Sequence, residues 1–154
     1  MNNEPPNIPV TPAPPNEITA PHEIAPAPGI SKLPLLAAAA PGFFFVVTGL
    51  WPVVSLDTFE AVSGPKTDHW LVITVGLLIA IIGAALLLAA VRRSVGPEMF
   101  VLGIGAAFAL ASVDVVFVFK GTIWKVYLLD FVAEALFITL WVFAAKARRR
   151  PGAV

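Results

Sequence analysis

Three acidic residues stand out because each interrupts a long apolar stretch. Asp114 lies in the segment 99–119, and Asp130 and Glu134 lie in the segment 123–145. Residues four apart share a helix face, so Asp130 and Glu134 are expected to point the same way, with Tyr127 about one turn before them. Ionisable groups inside membrane segments commonly mark ion pathways, proton relays or ligand sites. The four residues therefore predict a site that binds a small ligand or cation, or that relays protons.

A buried polar clasp between helices is the alternative interpretation. An acid at a helix centre costs about 2.5–3.5 kcal/mol on insertion scales. All three acids are therefore expected to face inward and to be protonated, hydrogen-bonded or paired. No Lys or Arg is predicted at the depth of the acids, so a neutralising charge must come from the rim of the bundle, which carries Lys66, His69, Lys120 and Lys125. As a clasp, the acids would belong to a structural or accessory membrane subunit.

The segment 57–69 carries a second set of candidate residues, namely Glu60, Lys66, Asp68 and His69. Its Gly64-Pro65 pair predicts a turn, and Thr67 or Asp68 could accept hydrogen bonds from the free amides of the next helix. Capping and interfacial anchoring explain most of this segment. The alternative is that its charged residues fold over the acidic cluster as a lid.

Enzymatic chemistry has little support in the sequence. The chain contains no cysteine, which excludes thiol nucleophiles, disulfides and thiolate metal sites. The spacing of its Asp, Glu and His residues matches no metal motif, and no cofactor is predicted. Neither a nucleophile elbow nor a phosphate loop is present. A membrane enzyme acting on a lipid-like substrate is therefore only a distant third hypothesis.

The elements that must position these residues follow from the composition. The chain has 154 residues, of which 58% are hydrophobic and 13% are charged, whereas about a quarter of a soluble domain is charged. About 20 apolar residues cover the hydrocarbon core, and lipid leaves a helix as the way to satisfy their backbone. The sequence predicts an all-α bundle of four transmembrane helices at about 33–56, 70–91, 99–119 and 123–145, within a domain 32–146.

Two tails flank the predicted bundle. Nine of the fifteen prolines lie in residues 1–31, which lack a periodic apolar pattern, so this segment is predicted to be a disordered tail. Residues 147–154 are predicted to form a basic tail. The formal net charge of the chain is zero, and nucleic acid is not an expected partner because there is no excess of positive charge to bind phosphates.

The basic residues also predict an orientation in the membrane. Lys and Arg near span ends are retained in the cytoplasm. Seven basic residues would lie on one side of the membrane, namely Lys32, the pair at 92–93 and the four in the cluster 146–150. Three would lie on the other side, namely Lys66, Lys120 and Lys125. Both termini are therefore expected to be cytoplasmic, in a bacterial inner membrane.

Small residues predict how the helices pack. Gly76, Ala80 and Ala84, with Gly83 beside them, recur on the second span, and Gly103, Ala107 and Ala111 recur on the third. Such stripes let helix backbones approach closely, within one chain or, as an alternative, in a homo-oligomer. The short turn after the third span makes the third and fourth spans antiparallel neighbours. Asp114 and Asp130 should then lie at similar depth, with Glu134 one turn deeper.

A resemblance follows from several of these stretches. The chain resembles a group of small four-span bacterial membrane proteins of unknown function. The resemblance is carried by Phe59-Glu60, the run 64–72, the run 74–76, Asp114 and the run 127–130 with Glu134. The resemblance covers about residues 33–145 and implies a helical membrane bundle, but no activity or site residues. The small multidrug exporters also have four spans, but their functional glutamate is in the first helix, and residues 33–56 contain no acid.

Overall fold

The computed structural model describes residues 32–148. Over that range the chain forms five α-helices and no strand: α1 (Lys32–Val54), α2 (Leu56–Ser63), α3 (His69–Val91), α4 (Pro97–Phe119) and α5 (Tyr127–Arg148). All except α2 are long and apolar enough to span a membrane. The predicted four-helix transmembrane bundle is confirmed, and the chain is a small multi-pass membrane protein in a lipid bilayer. The predicted tail 1–31 lies outside the described residues, as do residues 149–154.

Several helix boundaries differ from the prediction by a few residues, and one additional helix is present. The additional helix is α2, which covers the first part of the segment 57–69. It ends just before Gly64, whose backbone φ of +88° is rarely adopted by residues that carry a side chain. The last span begins at Tyr127 rather than at residue 123, because residues 120–126 form the turn that follows α4, and it continues to Arg148. The basic tail predicted from residue 147 therefore begins inside α5.

The helices define two ends of the bundle. The α2 end contains α2, the loop 64–68 and the turn 120–126, whereas the terminal end contains the start of α1, the connection 92–96 and the end of α5. Each long helix runs from one end to the other. Asp114 of α4 and the two acids of α5, Asp130 and Glu134, are closer to the α2 end, whereas Lys146 and Arg148 lie at the terminal end.

α1 and α3 pack against each other through glycine. Gly49 faces Gly76, and Gly42 faces Gly83. A Cβ atom added to Gly83 would lie 2.6 Å from the carbonyl oxygen of Gly42, and one added to Gly49 would lie 2.5 Å from that of Gly76. The two backbones are therefore in direct contact, which is how helices commonly associate in lipid.

The predicted small-residue stripes are partly correct. On α3 the buried face uses Gly76, Ala80 and Gly83, whereas Ala84 is exposed. The inclusion of Ala84 was wrong because a contacting helix face returns after three residues as well as after four. On α4 the predicted residues Gly103, Ala107 and Ala111 are all buried, and Asp114 continues the same face.

α4 and α5 form the second helix pair, packed around Trp141. The Trp141 side chain is fully buried, and a Cβ on Gly103 would collide with its ring. Phe100 meets the same ring edge-on, with centroids 4.8 Å apart. At the terminal end, the Arg148 guanidinium donates a hydrogen bond to the Val95 carbonyl at 3.0 Å. The close packing of this pair is thus concentrated near the terminal end.

The two helix pairs meet at an aromatic cluster. Phe137 of α5 packs edge-on against Phe44 and Phe45 of α1, at centroid distances of 5.4 and 6.2 Å. By contrast, α3 and α4 contact each other only marginally although they are consecutive. The fully buried core side chains, such as Phe45, Leu86 and Trp141, lie from this cluster towards the terminal end.

Candidate functional site

A cavity of about 420 Å³ occupies the half of the bundle that includes the α2 end. All five helices contribute to its wall, which is mostly apolar. The apolar part of the wall includes Phe44 and Phe45 of α1, Val75 and Ile79 of α3, and Leu110 of α4. The polar side chains in the wall are Thr48, Ser63, Lys66, Asp114, Tyr127, Asp130 and Glu134. The structure therefore brings all four residues of the predicted intramembrane site to one cavity.

Glu134 is the most unusual residue of this wall. Its side chain is 0% exposed, and neither Oε1 nor Oε2 has a hydrogen-bond partner among residues 32–148. Leaving one buried polar group unsatisfied costs about 1–3 kcal/mol, and more for a charged group. Its position follows from the helix period, because α5 buries Glu134 on the same face as Trp141, seven residues further on. The cavity thus holds an acceptor that the surrounding protein does not satisfy.

Asp114 and Asp130 lie side by side across the α4–α5 contact, as the antiparallel arrangement predicted. Their carboxyl groups are close neighbours. Asp114 is only 4% exposed, and its Oδ2 atom is unpartnered within the described chain. The two aspartates are thus neighbours across the helix contact, whereas both carboxyl oxygens of Glu134 are unpartnered in the described chain.

The α2 end of the cavity is covered by α2 and the residues that follow it. Ser63 is buried with no hydrogen-bond partner for its hydroxyl in residues 32–148, and the Tyr127 hydroxyl lies near it. Ser63 was not predicted as a site residue. The signal that could have found it is the amphipathic pattern of residues 56–63, which places Phe59 and Ser63 four apart on one helix face.

Lys66 lines the cavity but does not pair with its acids. Its ammonium donates hydrogen bonds to the carbonyls of Ser63 and Gly64, both at 2.8 Å, and so caps the end of α2. The same ammonium lies 5.5 Å from the centre of the Tyr127 ring. Burial lowers the pKa of Lys66 below its ordinary value of 10.5, and the nearby Glu60 carboxylate opposes part of that shift.

The other candidates of the segment 57–69 are outside the cavity wall. Glu60 accepts hydrogen bonds from the Lys66 backbone amide and pairs with His69, both at 3.1 Å. Asp68 is exposed, and the predicted side-chain cap on α3 does not form; its backbone carbonyl accepts the first amides of the helix instead. The structure therefore brings Lys66 to the acids but leaves Glu60, Asp68 and His69 at the surface.

The acids have no cationic partner in the part of the chain that the structure describes. The contact between His69 Nε2 and Glu60 Oε1 is the only close contact between a basic and an acidic side chain in residues 32–148. The Lys120 ammonium lies over the Phe117 ring at 5.4 Å, and Lys125 is exposed. Over the same range, no group of three His, Asp or Glu side chains is arranged to hold a metal ion.

The fold and the cavity together define a class: a small helical membrane protein with an acid-walled cavity in one half of its bundle. Compared with known proteins, the chain matches no family model, no curated protein and no solved structure. The resemblance to small four-span bacterial proteins therefore stays a prediction.

Proposed function

We propose that this protein binds a small cationic ligand in its cavity, with Glu134 as the main polar contact, and that it is not an enzyme. The observation that supports this most strongly is the complete burial of Glu134 with both carboxyl oxygens unpartnered in the described chain. Buried polar groups in proteins are normally hydrogen-bonded. A cation that donates hydrogen bonds would satisfy Glu134 and supply the charge that residues 32–148 do not bring to it.

Binding accounts for the cavity better than a proton relay through the membrane. A relay needs a chain of polar groups, but the buried polar side chains of residues 32–148 are Ser63, Asp114 and Glu134. All three lie in the cavity wall. Between Glu134 and the terminal end, α5 buries Trp141 and Ala144 instead. The polar groups thus form a closed-ended site rather than a path.

The structural clasp remains a second candidate function for one part of the cluster. Asp114 and Asp130 are mutual neighbours across the α4–α5 contact, which is the arrangement that a clasp requires. Replacing both with Asn would keep hydrogen bonding while removing the charge. If they act only as a clasp, the double variant should match or exceed the wild type in thermal stability and should keep ligand binding at Glu134.

Labelling with dicyclohexylcarbodiimide, a lipid-soluble reagent that modifies protonated carboxyl groups, tests the proposed site. We expect it to modify Glu134, and a panel of ammonium and alkylammonium salts to slow that modification, as measured by peptide mass spectrometry. Glu134→Gln should lose the label and hold or gain thermal stability, because it removes an uncompensated buried acid. Glu98→Gln changes an exposed acid in the first turn of α4 and serves as the matched control. Modification of Glu134 that no cation slows would contradict the proposal.

We further propose that the protein lies in a bacterial inner membrane with both termini in the cytoplasm. The support is the partition of seven basic residues against three. The absence of cysteine allows single-cysteine labelling, at the exposed Thr67 of the α2 end and the exposed Ser94 of the terminal end. An impermeant thiol reagent added to intact cells should label Thr67→Cys and spare Ser94→Cys. The reverse pattern would place the cavity in the cytoplasmic half.

A further inference from the structure

The cavity joins a strongly polar acceptor to a large apolar surface. Glu134 lies on α5, whereas α1 and α3 contribute rings and branched aliphatic side chains such as Phe44, Phe45, Val75 and Ile79. A small hydrated cation would find few oxygen ligands here besides the acids. The wall chemistry favours a ligand with one charged group and an apolar body.

The cavity wall contributed by α3 and α4 reaches the surface of the bundle. Val75 of α3 and Val113 of α4 both line the cavity, yet they are 43% and 51% exposed. The two helices contact each other only marginally, while α2 covers the α2 end. Because α3 and α4 are long and apolar enough to span a membrane, an opening between them would face lipid.

We propose that the ligand is an amphipathic monocation, a protonated amine with an apolar tail, which enters from the bilayer between α3 and α4. Its ammonium would bind Glu134, and its tail would lie against the apolar wall of α1 and α3. This inference rests on the proposed function and adds the class of the ligand and its route.

The physical reasons concern donors, charge and access. An ammonium group has up to three N–H donors, and Glu134 offers two acceptors that the described chain leaves unpaired. The attraction between opposite charges is much stronger in a cavity of low dielectric constant than in water. The apolar tail keeps the amine in the bilayer, from which the proposed route leads into the cavity.

Protection of Glu134 from carbodiimide tests the ligand class in purified protein reconstituted into lipid nanodiscs. Three probes are compared: decylammonium, which has charge and tail; methylammonium, which has charge alone; and decanol, which has the tail alone. We expect decylammonium to give half-protection at a concentration at least tenfold below that of methylammonium. Decanol should give none.

The other outcomes separate the two proposals. Equal protection by methylammonium would overturn the amphipathic ligand and leave the cation site intact. Equal protection by decanol would overturn the need for charge. A lack of protection by either ammonium probe would overturn the proposed function together with this inference.

The route is tested by obstructing the proposed opening between α3 and α4. Val113→Cys, modified with a bulky thiol reagent, should slow the onset of protection by decylammonium several-fold. Val101→Cys on the same helix is the control, because Val101 is 76% exposed and does not line the cavity. Equal rates in the two modified variants would overturn entry between α3 and α4.

Discussion

The two halves of the bundle solve the same packing problem differently. Towards the terminal end, the ring of Trp141 fills the space over Gly103, and Leu86 and Phe45 complete a core without exposed surface. Towards the α2 end, the same helices enclose a cavity of about 420 Å³ whose wall contains three acids. In the packed half, large side chains fill the space over small residues. In the open half, the space between the helices is not filled by side chains.

This difference separates the half that stabilises the bundle from the half that carries the proposed site. In lipid, helices associate through close packing and polar contacts, with little hydrophobic force between them. The packed half can therefore hold the bundle together while the open half carries unsatisfied acids. Stable packing in one region of a protein can offset the free-energy cost of unsatisfied polar groups in another region, as long as the site is unoccupied.

Removing a large side chain from the packed half should lower the free energy of unfolding more than any other change considered. Trp141→Ala removes a fully buried side chain, and large-to-small changes of this kind cost about 3–5 kcal/mol. The free energy of unfolding in mixed micelles should fall accordingly, whereas Phe143→Ala, at a position 57% exposed, should change it little. If both variants were equally stable, the terminal half would not be the packed core that this comparison requires.

Adding side-chain volume should have a smaller effect on stability than removing Trp141. The effect should also differ between the open half and the packed half. Leu110→Phe adds volume next to the cavity, where the ring has free space. Leu86→Phe adds the same volume at a position with 0% exposure, where overpacking typically costs about 1–3 kcal/mol. Thermal unfolding should show a lower midpoint for Leu86→Phe and little loss for Leu110→Phe. Similar losses in the two variants would mean that the cavity is not available space.

The smallest expected effect concerns Lys66 at the α2 end. Burial lowers its pKa, so the unfolded chain retains this proton to higher pH than the folded protein. Stability should therefore rise slightly as pH increases from the folded pKa towards the ordinary value of 10.5. Lys66→Gln should abolish that slope, and NMR of ¹³C-methylated lysine should show Lys66 titrating below 10.5. A titration at or above 10.5 would contradict the burial of this ammonium.

Much of the fold was predictable because lipid leaves few choices. Apolar runs of about 20 residues must be helical, and the short connection after α4 makes α4 and α5 neighbours. The placement of Asp114 beside Asp130 followed from these two facts. The close contact of α1 with α3 was indicated only by small residues, whose spacing did not say which of Gly83 and Ala84 would be buried.

The cavity itself was not predictable from the sequence. Its volume depends on the angle between the two helix pairs, which the contact of Phe137 with Phe44 and Phe45 helps to set. No local pattern encodes that angle. The role of Lys66 was also missed, because its bonds to the carbonyls of Ser63 and Gly64 depend on where α2 ends.

The glycine contacts between α1 and α3 have a mechanical consequence. Backbone atoms in direct contact at Gly49 and Gly76, and again at Gly42 and Gly83, leave no flexible side chains between the two helices to deform. This pair is therefore the stiff wall of the cavity. The opposite wall, formed by α4 and α5, is held to α1 by side-chain contacts, among them those of Phe137 with Phe44 and Phe45. A ligand that widens the cavity should displace α4 and α5 and leave α1 and α3 at rest.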